Sequence, residues 1–396
     1  MRKHWTLRLL AVLFSFALLA SACGDDDSSD NTGSDDDNSD NTDDTDDSDN
    51  TDDSDNTDDN IDLVQGGSTL DTVKDRGTLI CGVSGAATAF SETQADGSTT
   101  GFDADYCRAA AAVMTGSAEN VEFVALTASE RFTALAAGDI DVLMRNTTWT
   151  QSRDTDLGGD FGPTTYYDGQ QLMGKVEDGF SSDSTISDTN GAIVCTNAGT
   201  TTEKNMAEAA ALEGFGADFG ITLNTFEDYN QVVDAFIDGT CDLITTDGSA
   251  LVGRKATQQP DGEEWSIFPS TPISKEPLGP MYRQNDSVFG DVINWTVYAT
   301  IILDELGITS DNAQAFVDGY VENESDPQVG RLLGVDGGEL QTGMGLDADA
   351  FLQMVLQVGN YDEIYAANLN PVGLVREGSA NARWTEGGLI YAPPAR

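Results

Sequence analysis

The residues best suited to chemistry lie in one stretch, Asp139 to Asp156, where an apolar start (Val142, Leu143, Met144) runs into a polar segment carrying Arg145, Thr148 and Arg153. An arginine just past the end of a buried strand stands where open α/β sheets present their ligand-binding groups. Its planar fork suits a carboxylate, held by two parallel hydrogen bonds. The chemistry this predicts is recognition of an anion. The same spacing equally allows Arg145 and Arg153 to pair with Asp154, Asp156 or Asp160 at the surface.

Composition narrows the field. The chain has 396 residues, 39% of them hydrophobic, and a formal net charge of -50. That is enough to bury a large core and to form more than one lobe. Charge of this sign repels nucleic acid and anionic membrane surfaces, so no nucleic-acid partner is expected. The only histidine is His4, inside a segment read below as removed on export. A mature chain without histidine excludes a Ser-His-Asp triad, a Cys-His pair and a His-ligated zinc site. No cofactor, no metal and no catalytic residue are expected.

Residues 1–23 have a basic start (Arg2, Lys3, Arg8), an apolar run from Leu9 to Ala20, and end Ala20-Ser21-Ala22-Cys23. This pattern predicts an export signal, too short and one-sided for a stable spanning helix. A cysteine directly after small residues resembles the lipobox of bacterial lipoproteins, although Ala20 stands where that motif usually has leucine. Cys23 is therefore the expected lipidation site, with ordinary cleavage and free secretion as the alternative. Residues 24–60 contain only Asp, Ser, Asn, Thr and Gly, with 18 aspartates between Asp25 and Asp59 and no Lys or Arg. Like charges and the lack of apolar residues predict an extended, solvated tether. A calcium loop needs its glycine and terminal glutamate at fixed places, and neither appears there.

From Thr69 the text becomes globular. A short helix, Leu70 to Arg76, closes at Gly77. Strand Thr78–Val83, helix Asp105–Met114 and strand Val121–Leu126 follow. A helix from Ser129 to Ala137, with Ser129 as N-cap, leads into the strand before Arg145. The same order recurs: strand Gly191–Cys195, helix Glu203–Ala211, strand Ile221–Phe226, helix Tyr229–Gly239 and strand Cys241–Asp247. Strands alternating with helices mean βαβ units and mostly parallel sheets. Two lobes of similar plan place a ligand between them. The cysteines repeat the symmetry, Cys81 and Cys107 in the first lobe, Cys195 and Cys241 in the second. In an exported chain this predicts the disulfides Cys81–Cys107 and Cys195–Cys241, against the alternative of four buried thiols.

The runs "GFDADYCRAAAAVM", "VEFVALTASERFTALAAGDIDVLMRNTTWTQSRDTDLGGDF", "CTNAGTTTEKN", "GTCDLITTDGSAL", "ISKEPLGP", "WTVYATIILDELGITS" and the ending "WTEGGLIYAPPAR" resemble the periplasmic amino-acid-binding proteins of ABC importers (solute-binding protein family 3), in particular their general L-amino-acid-binding branch. The resemblance runs from about Thr69 to the C-terminus. It implies an α/β fold of the type II periplasmic-binding-protein kind, two lobes hinged by two crossovers near Pro163 and Ser274. Residues 69–163 with 275–396 then form the first lobe, 164–274 the second, and from about Gly307 additional helices wrap the first lobe.

The resemblance also implies roles. Thr148 and Arg153, five apart, match the clamp on the ligand's α-carboxylate. Asn146 and Arg145 stand where the family usually has small residues, so Arg145 contacts the ligand or braces the lobe. The Gly199-Thr-Thr-Thr-Glu turn places the amides of Thr200 and Thr201 at a helix N-terminus, which favours an anion but is also the geometry of an ordinary N-cap. Asp247 matches the acid that holds the ligand ammonium. Ser84, Phe90 and Ser91 lie in the loop lining the side-chain end of the pocket, and Trp149 either lines the pocket or, the favoured reading, belongs to the core. In so acidic a chain an acidic cleft is expected, which would disfavour glutamate and aspartate as ligands. The function implied is capture of L-amino acids for an ABC permease by a monomer anchored outside the cytoplasmic membrane. A dehydratase-type enzyme using Glu92 or Glu203, and a sensing receptor acting through a separate partner, are the competing readings.

Overall fold

Ser68 caps the first helix, Thr69–Arg76, through a reciprocal capping box with Asp71, and Gly77 ends it in the left-handed conformation. This is where the computed structural model begins to describe the chain, which it covers at residues 68–211, 220–323 and 326–396. These residues belong to one compact unit. The expected signal segment, Cys23 and the acidic tether lie outside the described residues.

Two five-stranded sheets carry the molecule, and they share one plan. In the first, Leu79–Val83 lies between Val121–Ala125 and Val142–Leu143, all parallel. Met281–Arg283 then pairs antiparallel with Val142–Leu143 and with the edge strand Gly159–Phe161. In the second, Ile193–Asn197 lies between Thr222–Phe226 and Leu243–Asp247, again parallel. Gln170–Lys175 is the antiparallel strand here, and Trp265–Phe268 pairs with it at the edge. The two-lobed, mostly parallel α/β architecture read from the sequence is the observed fold. Each lobe contains one antiparallel strand because the chain crosses over before completing the first sheet.

The crossovers pair with each other. Tyr166–Asp168 runs out of the first lobe and Glu276–Leu278 runs back, forming a two-stranded antiparallel ribbon. Glu276 stands directly opposite Asp168 in that ribbon. Thr148 bridges to Leu278, and the Trp149 amide donates to the Pro277 carbonyl at 2.8 Å. The ribbon is thereby attached to the stretch from which the sequence reading began.

The helix Phe102–Thr115 is buried along most of its length, its alanines packed at the centre of the first-lobe core. Gly101, at φ 129°, precedes it, and a Cβ there would lie 2.3 Å from the Phe90 carbonyl oxygen, so only glycine fits. Phe102 meets Phe90, Tyr106, Tyr166, Tyr361 and Tyr365 in edge contacts, an arrangement aromatic quadrupoles favour. Helices Ser287–Glu305, Ala350–Gln357 and Tyr361–Asn368 close over the same core. The C-terminal part thus wraps the first lobe. It also reaches the ribbon, since the Tyr361 hydroxyl donates to the Thr165 carbonyl and Asn381 bonds both the amide and the carbonyl of Tyr167.

The cysteine pairs stand at bonding distance, Cys81 with Cys107 and Cys195 with Cys241, with Cα separations of 6.1 and 6.0 Å. Each ties a central strand to a neighbouring element of its own lobe. One local expectation fails. The third helix starts at Arg131, and Ser129 does not cap it. Its hydroxyl donates instead across the lobes to Glu227 at 2.9 Å, while Thr127 and Glu130 bond each other reciprocally at the helix entry.

Candidate functional site

The strands Leu79–Val83 and Val142–Leu143 of one lobe, and Ile193–Asn197 and Leu243–Asp247 of the other, end at a common cleft. Its non-atom space is about 560 Å³, open solvent at the mouth included. Ser84, Arg131, Arg145, Asn146 and Thr148 line it from the first lobe. Thr200, Thr201, Tyr229, Asp247 and Arg254 line it from the second. The lobes touch across it. Arg254 donates to the Ala86 carbonyl, and the hydroxyls of Thr148 and Thr201 stand 3.4 Å apart.

The segment after Val142–Leu143 is held from below. The Asn146 amide donates to the Asp103 carboxylate at 2.7 Å, and Asn146 itself adopts φ 32°, the left-handed region that asparagine tolerates better than most residues. This turn points Arg145 and Asn146 at the cleft rather than along the strand. Arg145 donates its Nε to the Leu126 carbonyl at 2.8 Å. Burial lowers its pKa to about 10, with Asp103 opposing the shift and Arg153 adding to it. Burial likewise lifts Asp103 to about 6 against the pull of the Asn146 amide and Arg145.

On the other side, the helix Thr201–Ala211 begins at the cleft wall. Thr200 acts as its cap: its Oγ1 accepts from the Glu203 amide and donates to the Asn197 carbonyl. The amides of a first turn are unpaired donors with partial positive charge, suited to an anion. The Thr201 hydroxyl is held by Glu276 of the ribbon at 2.9 Å. One crossing strand therefore fixes Thr148 by its backbone and Thr201 by its side chain.

Asp247 ends its strand inside the cleft, buried, and no hydrogen bond reaches its carboxylate from the described residues. Burial, Asp168 and Glu276 drive its pKa well above the usual carboxylate range, with Arg153 and Arg131 pulling the other way. A carboxylate so placed gains most from a cation arriving beside it.

Several residues lie elsewhere than expected. Arg153 is buried behind the wall, its Nη1 on the Thr148 carbonyl at 3.0 Å and its guanidinium over the Phe132 ring. It acts on Thr148 and, electrostatically, on Asp247 and Glu276, and it pairs with none of Asp154, Asp156 or Asp160. Phe90 packs into the first-lobe core, because the glycine-tight contact at Gly101 draws its backbone inward. Ser91 is buried beneath the loop, its Oγ accepting from the Ser84 amide. Trp149 is 42% exposed and stacks on Phe161 outside the cleft, since the Pro277 bond turns it away from the core. Glu203 is occupied by the Gly199 amide at 2.8 Å, and neither it nor Glu92 lines the cleft. The expectation of an acidic cleft is also corrected: its charged lining residues are Arg131, Arg145 and Arg254 against Asp247. The chain's acids lie mostly on the surface and in the tether sequence, so net charge does not describe the pocket.

Tyr229 and Arg254 were missed by sequence reasoning, and so was Arg131. It is 3% exposed, stands over the Phe132 ring with its guanidinium carbon 4.7 Å from the ring centre, and has an unpartnered Nε. Burial, with Arg145 and Arg153 nearby, drives its pKa well below the usual arginine value. The signal was present: Arg131 shares the inward face of its helix with Ala134 and Leu135, three and four residues on.

The family model of the bacterial extracellular solute-binding proteins, family 3, matches residues 79–367. The chain belongs to that family. A glutamate/glutamine/aspartate/asparagine-binding protein of Rhodobacter capsulatus is 42% identical over 337 residues, 83% of this chain and 94% of that protein. A general L-amino-acid-binding periplasmic protein of Rhizobium johnstonii is 41% identical over 334 residues, 83% of this chain and 93% of the relative. Among solved structures, an ABC transporter periplasmic binding protein of Brucella ovis with glutathione bound has a TM-score of 0.76 and 40% identity, covering 84% of this chain and all of that one. This family-3 solute-binding protein thus shares its two-lobed fold with that structure. Among the described residues no helix is long and apolar enough to cross a membrane.

Proposed function

We propose that the protein captures L-amino acids between its lobes outside the cytoplasmic membrane and delivers them to the permease of an ABC importer. The observation that carries this reading is the facing of opposite charges across one cleft: Asp247 from the second lobe, and Arg131, Arg145 and Thr148, braced by Arg153, from the first. A free amino acid has both charges at a fixed separation. In this reading Asp247 holds the ammonium. Thr148, Arg153 behind it and the helix start at Thr200 and Thr201 hold the α-carboxylate, Asn146 and Ser84 complete the wall, and Phe90 supports it from the core.

The lobes move as residues 69–163 with 275–396 against 164–274, with the ribbon as hinge. The identities of the relatives support the amino-acid and ABC assignment. The N-terminal pattern supports export with anchoring at Cys23, and the acidic tether supports a domain held away from the lipid as a monomer. The protein is a binder and not an enzyme: of the two carboxylates a dehydratase reading would recruit, Glu203 is committed to the Gly199 amide and Glu92 stands outside the cleft.

The test is calorimetry on residues 62–396 after unfolding and refolding to strip bound ligand, titrated with the common L-amino acids and glutathione. Saturable binding to several amino acids is expected. Arg153→Ala and Asp247→Ala each weaken it by about 2–5 kcal/mol, because truncation leaves the partner charge buried and unpaired. Binding indifferent to both substitutions overturns the assignment.

A further inference from the structure

Of the three arginines lining the cleft, two have protein acceptors. Arg254 donates to Asn230, Gln258 and the Ala86 carbonyl, and Arg145 to the Leu126 carbonyl. Arg131 donates to nothing among the described residues, although it is almost fully buried, and its Nε faces no acceptor at all. The Phe132 ring lies against its guanidinium without supplying a counter-charge. The Asn146 side-chain oxygen, in the same cleft lining, is buried and unpartnered too, but as an acceptor it calls for a donor and adds nothing for an anion. A desolvated guanidinium with open donor sites calls for an anion.

A zwitterion does not provide enough of one. In the reading above its ammonium is met by Asp247 and its α-carboxylate by Thr148 and the Thr201 helix start, with Arg153 bracing Thr148 from behind the wall, so its charges are used up and the lining keeps an excess of cation. Arg145 is partly balanced, by Asp103 beneath it and Asp228 beyond it. Arg131 has only Asp247, which the ammonium occupies.

We propose that Arg131, with Arg145 beside it, is a specificity-determining pair that receives the side-chain carboxylate of an acidic amino acid. The unpaired, ring-backed guanidinium in the cleft wall is what assigns it. The proposal rests on the amino-acid reading above and adds a second anion subsite to it. Glutamate and glutamine are the discriminating probes, since they share size and shape and differ in side-chain charge.

Stripped protein is titrated at pH 8 with L-glutamate, L-glutamine and L-alanine, as wild type, Arg131→Gln and Arg131→Lys. The wild type is expected to bind glutamate about tenfold or more tighter than glutamine, the gain of a charge-assisted over a neutral hydrogen bond. Arg131→Gln brings the glutamate-to-glutamine ratio close to one, and Arg131→Lys restores part of it. A wild-type ratio at or below one overturns the proposal. So does a parallel loss of all three ligands in Arg131→Gln, which would make Arg131 an α-carboxylate or structural residue. Should Arg131→Gln not fold, the wild-type ratio and Arg131→Lys decide. Failure of the wild type to bind any of the three overturns the amino-acid reading instead, so the two failures are distinguishable.

Discussion

Asp103 shows how a residue outside the cleft controls one inside it. Its carboxylate accepts the Asn146 amide and thereby sets the turn that aims Arg145. Burial lifts its pKa to about 6, above the unfolded value of about 3.9. Between those values the folded protein holds more protons than the unfolded one, so this group's contribution to stability falls as pH rises through the window and is constant above it. Asp168, raised to about 6 chiefly by burial, adds in the same sense. Measured by scanning calorimetry against Asp103→Asn, which keeps an acceptor without the charge, the wild type is expected to lose Tm between pH 4 and pH 6.5. A pH-independent difference would mean Asp103 is not the group responsible. At this scale the resemblance was enough to place Thr148 and Asp247 in the cleft lining. The sequence was illegible where burial decides a role, as with Phe90, Trp149 and Arg131, because an arginine at a helix start reads as solvent-facing until its helix is seated.

At the scale of elements, the alternation of strands and helices was readable from apolar runs and their turns, to within a few residues at each end. The ribbon was less so. Three-residue strands such as Tyr166–Asp168 and Glu276–Leu278 are too short to show a period, and only their pairing identifies them. The C-terminal wrapping is held by a charge cluster of high separation: Asp304, 1% exposed, accepts from Arg376 at 2.7 Å and from Arg383 at 2.5 and 3.0 Å. Truncating one partner of a buried ion cluster leaves uncompensated charge, so Asp304→Ala is expected to cost about 3–5 kcal/mol in urea unfolding. A change under about 1 kcal/mol, the ordinary value of an exposed pair, would show that the tail is held by its apolar contacts alone. Within the second lobe, Cys195→Ala with Cys241→Ala is expected to lower stability by about 2–5 kcal/mol, the usual range for a native disulfide.

At the scale of the whole molecule, the proposed function predicts that ligand binding is coupled to a proton. Asp247, Asp168 and Glu276 lie within electrostatic reach of one another at the ribbon, and the first two are held above their ordinary pKa values. A ligand ammonium arriving at Asp247 favours its charged form and competes with the proton. Amino-acid affinity is therefore expected to fall as pH is lowered from 8 to 5. Calorimetry in buffers of different ionisation enthalpy is expected to register proton release on binding. Affinity that is flat over this range, with no proton released, would mean Asp247 is already ionised before ligand arrives. The two-lobed plan itself was legible from the repeated order of strands, helices and cysteines, since duplication is a pattern no single element has to reveal.

The placement of Met281–Arg283 between Val142–Leu143 and Gly159–Phe161 has a bearing on how the chain is made. A polypeptide threaded through an export channel from its N-terminus delivers the first lobe's opening strands early, yet their sheet lacks its fourth member until residue 283 has emerged. The outer helices and the Asn381 clasp on Tyr167 come later still. The second lobe, contiguous in sequence, is free to fold first, and the lobe begun first is finished last.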